Sequence, residues 1–335
     1  MPVLPPPRGP LTEALFATLA ARPPGDATWP APAGGDPVAD EDLQLALYAC
    51  YELHYRGFDG VAGEWEWDPG VLTLRARLER AFEEALREAA GPVSADVSPE
   101  SADVALRAIA DADDGPSLSL YIARDGTRDQ LLELLVHRSA YQLKEADPHT
   151  WALPRLTGEP KAAMVEIQAD EYGGGRPERI HADMFARAME GVGLDGAYGA
   201  YLHQIPAVML ATVNLMSFLG LHRRLRGALA GHLALFEMSS AVPSKRYADA
   251  MRRLGWAHAT GFYDEHVEAD SVHENIAAVH LAGGLIRQDP RMGRDVLFGA
   301  QALAALDRRW ADHVFARWEA GLSSLLEPLA DPVSA

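Results

Sequence analysis

Apolar residues recur at spacings of three and four positions along most of the chain, which is the period of amphipathic helices. Leu43, Leu47 and Tyr51 form one such stripe, and Asp40 or Asp42 stands where a helix N-cap is expected. Residues 117–124 fit either a short strand or another helix. Further helices are predicted over 11–21, 71–90, 127–145, from 160 onward, 194–201, 206–221, 223–239, 260–283 and 293–325, with a connector at 240–253 that contains Pro243.

Residues 1–38 are rich in proline, which restricts regular structure, so we expect an N-terminal arm on the surface or over an edge. The main domain is then 39–335. The longest apolar run, 206–221, is interrupted by Asn214 and Ser217 and is too short to cross a bilayer comfortably. We therefore interpret it as a buried core helix and expect no membrane partner.

The composition narrows the choice of partners and compartment. A formal charge of −18 and a pI near 5.0 oppose binding to nucleic acid or an anionic membrane, since both attract basic surfaces. The single cysteine, Cys50, excludes an intramolecular disulfide and any four-cysteine metal site, which favours a reducing compartment. No secretory signal is recognisable, so a cytoplasmic location is expected.

The most informative motif is His266-x-x-x-Asp270-x-x-His273. Spacings of four and three place the three side chains in one column on a helix face. Two imidazoles and a carboxylate provide half of a metal site, and facing helices would have to supply the rest. Solvated helix faces produce the same pattern, so its companions decide the interpretation.

Candidate companions lie on three other segments. Glu145 ends a helix that packs on the core, where a carboxylate is costly without a cation. Glu171 and the Glu178-x-x-His181 pair are predicted on one helix, bent at Gly173-Gly174-Gly175. Glu237 lies on an apolar face as a further ligand or a neighbouring catalytic group, and His149 is a weaker candidate.

Four carboxylates and three imidazoles without a thiolate suit iron or manganese better than structural zinc. One catalytic ion needs about three protein ligands, whereas two ions that share carboxylates use six or seven. The set therefore predicts a dinuclear centre, with iron favoured for O₂ chemistry. The predicted ligands are Glu145, Glu171, Glu178, His181, His266, Asp270 and His273.

As a set, these residues resemble the ligand pattern of the haem-oxygenase-like di-iron oxidases, a family of iron-containing redox enzymes, over residues 125–320. The resemblance implies an all-α, haem-oxygenase-like bundle of about seven core helices with N-terminal accessory helices. It also implies two Fe(II) ions bound by those seven residues and O₂ as co-substrate. A homodimer is a further expectation.

Relatives form a peroxo-di-iron(III) species that oxidises small amino-acid-like or acyl substrates by N-oxygenation, desaturation, cyclisation or C–C cleavage, often in specialised metabolism. They hold the second iron weakly, so the helix around Asp270 is expected to be mobile without metal. Catalytic roles are then expected for Asp270, Glu178 and Glu237. The Asp270 carboxylate could swing to admit O₂ or the second ion, and Glu171 or Glu178 could bridge the two ions.

Three alternatives remain open at this point. A haem-binding oxygenase would need one axial histidine and an apolar slot. A helical binding protein would leave the acids solvated, and a thiamin-salvage hydrolase would need a cysteine nucleophile, for which only Cys50 is present. For the substrate, a carboxylate could be bound by Arg155, Arg176, Arg246 or Arg287.

Overall fold

The computed structural model describes residues 1–23, 28–32, 34–93, 97–112 and 114–329. Within these ranges the chain forms helices and turns, and the β-structure is one isolated antiparallel bridge between Tyr172 and Ile180. The all-α prediction is confirmed. The helices are α1 Pro10–Leu19, α2 Glu41–Glu52, α3 Pro69–Ala90, α4 Ala102–Asp111, α5 Leu118–Arg124, α6 Arg128–Gln142, α7 Asp147–Thr150, α8 Gly158–Glu171, α9 His181–Gly191, α10 Ala207–Leu221, α11 Arg226–Arg253, α12 Gly261–Asn275, α13 Gly283–Gln288 and α14 Met292–Glu319.

Side-chain caps explain where several helices begin. Asp40 accepts hydrogen bonds from the backbone N–H groups of Asp42 and Leu43 and so starts α2. Thr127 and Gln130 form a reciprocal capping box at the start of α6. These local signals are readable in the sequence, and the predicted beginnings of both helices agree with the structure.

The core is organised around α11, which packs against α14 and α12. The α11–α14 crossing is close because both helices carry glycine there. A Cβ atom on Gly231 would lie 1.8 Å from the carbonyl oxygen of Val296, and one on Gly299 would lie 1.8 Å from that of Ala228. The backbones therefore touch directly, which fixes the position of α11 and of the side chains it carries.

Two predictions about helix boundaries are wrong. The expected connector at 240–253 is the second half of α11, a continuous 28-residue helix with Pro243 inside it. Helix formation continues past the proline because Ser244, Tyr247 and Met251 extend the buried face. The expected helix at 194–201 consists of turns, with Gly193 and Gly199 at positive φ.

The predicted bent helix through Glu171 and His181 is also wrong. Helix α8 ends at Glu171, and Gly173, Gly174 and Gly175 all have positive φ, which an α-helix cannot contain. A short 3₁₀ turn, Pro177–Arg179, follows before α9 begins at His181. The break separates the backbones that carry Glu171 and His181, but it returns His181 to the side of Glu171.

The helix that carries the His266 motif changes period after Asn275. Residues Ile276–Ala282 form a π-helix between α12 and α13. Its wider turn rotates the following side chains away from the face of α12. His280 is therefore exposed and pairs with Glu159 at 2.9 Å, although its spacing predicts the same face as His273.

The N-terminal arm is partly built into the fold. Helix α1 packs on α2, and Leu11 and Leu15 are fully buried. Arg8 pairs with Glu41 at 2.7 Å and donates to the carbonyl oxygen of Leu202. In the part of the chain that the structure describes, no helix is both long and apolar enough to cross a membrane.

Candidate metal centre

Ligand-type side chains from five parts of the fold converge in the interior. They come from the turn between α6 and α7, the last residue of α8, the first of α9, the middle of α11 and the inner face of α12. All are buried: Glu145, Glu171, His181, Glu237, His266, Asp270 and His273.

Four of them form a first group: Glu145, Glu171, His181 and His266 each offer a ligand atom, all within 4.8 Å of one another. His181 Nδ1 lies 2.9 Å from Glu171 Oε2, and His266 Nε2 lies 3.5 Å from Glu145 Oε1. Two ligands about 2.1 Å from one ion and at right angles are roughly 3 Å apart. The first group therefore has the spacing of a single-ion site.

A second group consists of Glu171, Glu237 and His273. His273 Nδ1 lies 3.3 Å from Glu237 Oε2 and 4.0 Å from Glu171 Oε1. Glu171 thus belongs to both groups, with Oε2 near His181 and Oε1 near His273. A carboxylate with one oxygen toward each of two sites is the arrangement of a bridging ligand in dinuclear carboxylate centres.

Hydrogen bonds assign the ligand nitrogen of two imidazoles. His266 Nδ1 lies 2.8 Å from the carbonyl oxygen of Phe262, to which it donates, so Nε2 is left for an ion. His273 Nε2 lies 3.1 Å from Asp170 Oδ2, so Nδ1 is left facing Glu171 and Glu237. An acceptor behind a ligating histidine fixes its orientation and raises its basicity. Sequence reasoning missed Asp170, whose one signal is that it precedes a candidate ligand.

Asp270 lies at the edge of the centre. Its carboxylate accepts a hydrogen bond of 2.5 Å from Ser240 Oγ and lines the same cavity as Glu171 and Glu237, but it belongs to neither ligand group. Burial, followed by the charge of Glu237, raises the pKa of Asp270 to about 7. The carboxylate is therefore close to the second group and held by a hydrogen bond that it could exchange for a metal bond.

Glu178 is not brought to the centre. It is exposed on the 3₁₀ turn between α8 and α9 and lies outside both ligand groups. The glycines that end α8 remove the helical relation between Glu171 and Glu178 on which the prediction rested. In this conformation the carboxylate beside Glu171 and His273 is that of Glu237.

The electrostatics of the centre favour a bound cation. Burial raises the pKa of Glu145 and of Glu237. Burial alone would lower the pKa of His273, but Glu237 outweighs it and raises the value to about 9. A cation would remove the need for protons to neutralise these acids.

Unsatisfied polar atoms provide the test of fit. Four buried ligand atoms make no hydrogen bond of normal geometry, although His181 Nδ1 and Glu171 Oε2 face each other at 2.9 Å, and a buried polar atom left without a hydrogen bond costs about 1–3 kcal/mol. An ion among them would satisfy them, and oxygen and nitrogen donors without sulfur suit iron or manganese. The atoms are Glu145 Oε2, Glu171 Oε2, His181 Nδ1 and His273 Nδ1.

Comparison with known proteins agrees with this geometry. The model of the iron-containing redox enzyme family matches residues 132–308. This range contains every residue of the two ligand groups. The chain belongs to the iron-containing redox enzyme family. The resemblance inferred from the ligand pattern is thereby confirmed.

A nitrosourea synthase from Streptomyces achromogenes subsp. streptozoticus is 29% identical to this iron-containing redox enzyme over 146 residues. The match covers 43% of this chain and 31% of the relative. The chain thus corresponds to about a third of that protein, and the similarity supports an oxidoreductase without specifying its reaction.

A small cavity adjoins the metal centre of this family member. Its volume is about 20 Å³, and Tyr141, Leu233 and Phe236 form apolar parts of its wall. This is room for about one water molecule and is too small for a porphyrin. His149 also lines the cavity, but its Nε2 pairs with His232 Nδ1 at 3.1 Å.

Other candidates from the sequence have structural roles. Cys50 is buried, and burial raises the pKa of its thiol to about 12, which is unsuitable for a nucleophile. Arg155 donates to the carbonyl oxygens of Gly220 and Leu221 at the end of α10. Arg176 is exposed, Arg246 contacts Ser117 and Ser119, and Arg287 pairs with Glu159 at 2.9 Å.

Proposed function

We propose that this iron-containing redox enzyme is a non-haem di-iron oxidase that uses Fe(II) and O₂ to oxidise a small amino-acid-like or acyl substrate. The observation that carries the proposal is the position of Glu171 between two groups of buried ligands. A single-ion enzyme would have no use for the second group. The similarity to a nitrosourea synthase favours a role in specialised metabolism, with oxidation at nitrogen among the candidate outcomes.

The protein residues divide the work in this proposal. Bound iron would supply the electrons that activate O₂. Glu145, His181 and His266 would hold one ion, Glu237 and His273 would hold the other, and Glu171 would be shared between them. Asp270, kept at the edge by Ser240, is the carboxylate that can move without breaking either group.

The cavity wall controls what reaches the centre. Leu233 and Phe236 exclude water, which protects reactive species from side reactions. Gln168 donates from Nε2 to the carbonyl oxygen of Ala146 at 2.7 Å, so its buried Oε1 is left without a partner beside the cavity. This oxygen is placed to accept a hydrogen bond from a water-sized molecule in the cavity.

Oxygen consumption tests the proposal. Protein loaded anaerobically with Fe(II) is mixed with O₂ in the presence of pooled amino acids or pooled fatty acids, and products are identified by mass spectrometry. We expect substrate-dependent O₂ uptake that Glu171→Ala abolishes and that Glu166→Gln, an exposed change one turn earlier on α8, retains. Iron-loaded protein that consumes no O₂ with either pool would contradict the proposal. The cytoplasmic location and the homodimer remain predictions.

A further inference from the structure

A second cavity, of about 100 Å³, lies against the metal centre. It shares Glu145 and His266 with the centre, so one end of it meets the first ligand group. Its other walls are polar and aromatic, with Tyr247, Tyr263 and Ser244 among them. A molecule in this cavity would therefore reach the metal ligands directly.

Arg138 is the cation of this cavity. Its guanidinium lies 5.0 Å from the ring centre of Trp310 and 5.4 Å from that of Tyr247. Its buried Nε has no hydrogen-bond partner, although arginine stays charged at any physiological pH. Contacts with aromatic faces offset only part of the cost of removing a charge from water.

Burial alone would lower the pKa of Arg138, but the surrounding tyrosines and Asp307 outweigh it, so the pKa is raised and the guanidinium stays charged. Asp307 shares the cavity wall and attracts the guanidinium, but it is exposed. Arg138 is half-buried, and a guanidinium that faces a cavity with an unpaired, buried Nε is a site for an anion, since planar carboxylates match its paired N–H groups.

We propose that Arg138 binds the carboxylate of the substrate and so determines which acids the enzyme accepts. This inference rests on the proposed function, because it assumes that the adjoining centre is where oxidation occurs. Arg138 precedes Glu145 by seven positions, two helical turns, which is about 10 Å along α6 and the turn after it. The acid group is then several bonds from the atom that is oxidised.

A carboxylate is favoured over a phosphate by the size and charge of the cavity. A volume of about 100 Å³ accommodates a short-chain acid. Arg138 is the only arginine or lysine on the described part of its wall, and phosphate sites commonly combine several donors of positive charge. The hydroxyl groups of Tyr247, Tyr263 and Ser244 can bind the second polar group of an amino acid.

Binding to the metal-free full-length protein tests the inference without any turnover. The probes are hexanoate and L-norleucine, each compared with its own amide by titration calorimetry and by Trp fluorescence. We expect both acids to bind and both amides to bind at least tenfold more weakly. Arg138→Gln should lose at least tenfold in affinity for the acids, Arg138→Lys should lose less, and Arg246→Gln, which changes a cation outside the cavity, should bind like the wild type.

The outcomes separate this inference from the proposed function. Acids that bind Arg138→Gln as tightly as the wild type, amides that bind as well as acids, or a wild type that binds neither acid would each overturn the role of Arg138. If Arg138→Gln fails to fold by circular dichroism, Arg138→Lys and the acid–amide comparison decide. Fe(II) uptake is measured in parallel: its absence with acid binding intact would contradict the di-iron proposal and leave the anion site standing.

Discussion

The contact between Asp170 and His273 gives the most specific prediction about the centre. Asp170 Oδ2 lies 3.1 Å from His273 Nε2, on the side of the ring away from Glu171 and Glu237. Asp170→Ala would leave that nitrogen without its acceptor and the imidazole free to turn. Because His273 belongs only to the second ligand group, we expect only the second ion to be affected.

The size of the effect follows from the exposure of Asp170. Loss of a partner behind a ligand typically weakens metal binding by about 10- to 100-fold. The Asp170 side chain is 64% exposed, so in the variant a water molecule can partly replace it as the acceptor for His273. The effect should therefore lie at the lower end of that range. We expect the second ion to bind roughly tenfold more weakly, which corresponds to about 1.4 kcal/mol of binding free energy. The affinity for the first ion should be unchanged.

Anaerobic Fe(II) titration followed by iron analysis measures both ions in one experiment. Glu166→Ala is the matched control, since it removes an exposed acid from the same helix one turn away. Equal binding of both ions by Asp170→Ala and the wild type would refute the orienting role. Equal weakening of both ions would show that Asp170 supports α8 as a whole.

Three further predictions concern other parts of the molecule. Gly231→Ala should destabilise the fold by about 3 kcal/mol or more in urea unfolding, because its Cβ would lie 1.8 Å from a carbonyl oxygen of α14; unchanged stability would contradict the close crossing. Glu237→Ala should lower iron content to about one ion per chain while Glu178→Ala leaves it at two, and the reverse result would favour the ligand set predicted from sequence. Burial lowers the pKa of His137 to about 3, below its ordinary value near 6.5. The unfolded chain therefore binds a proton that the folded chain does not, and stability decreases as the pH is lowered below about 6.5. His137→Asn should therefore lose about 2 kcal/mol less than the wild type between pH 7 and pH 5, and equal losses would show that His137 is protonated in the folded protein.

Local periodicity explains which site residues could be predicted from the sequence. His266, Asp270 and His273 lie on one regular helix, α12, so their spacing alone places them on one buried face. The same counting places His280 on that face too, but it is wrong there because the π-helix changes the period after Asn275. Glu178 fails because consecutive glycines at positive φ end the helix on which its spacing was counted.

Residues that act through distant contacts could not be predicted. Arg138 lies within the apolar stripe of α6, and only the packing of α11 and α14 shows that Tyr247 and Trp310 flank it beside a cavity. Glu237 was recognisable as an acid on an apolar face, but its proximity to His273 depends on the α11–α12 contact. The helices, by contrast, follow from caps and periodicity, since both are local.

The central claim is that Glu171 joins two iron sites, and Mössbauer spectroscopy of protein titrated anaerobically with ⁵⁷Fe(II) tests it most directly. The account predicts that about two irons bind per chain as two high-spin Fe(II) species, and that Glu171→Ala loses both because it belongs to both groups. Binding of one iron at most by the wild type, or two irons retained by Glu171→Ala, would contradict it.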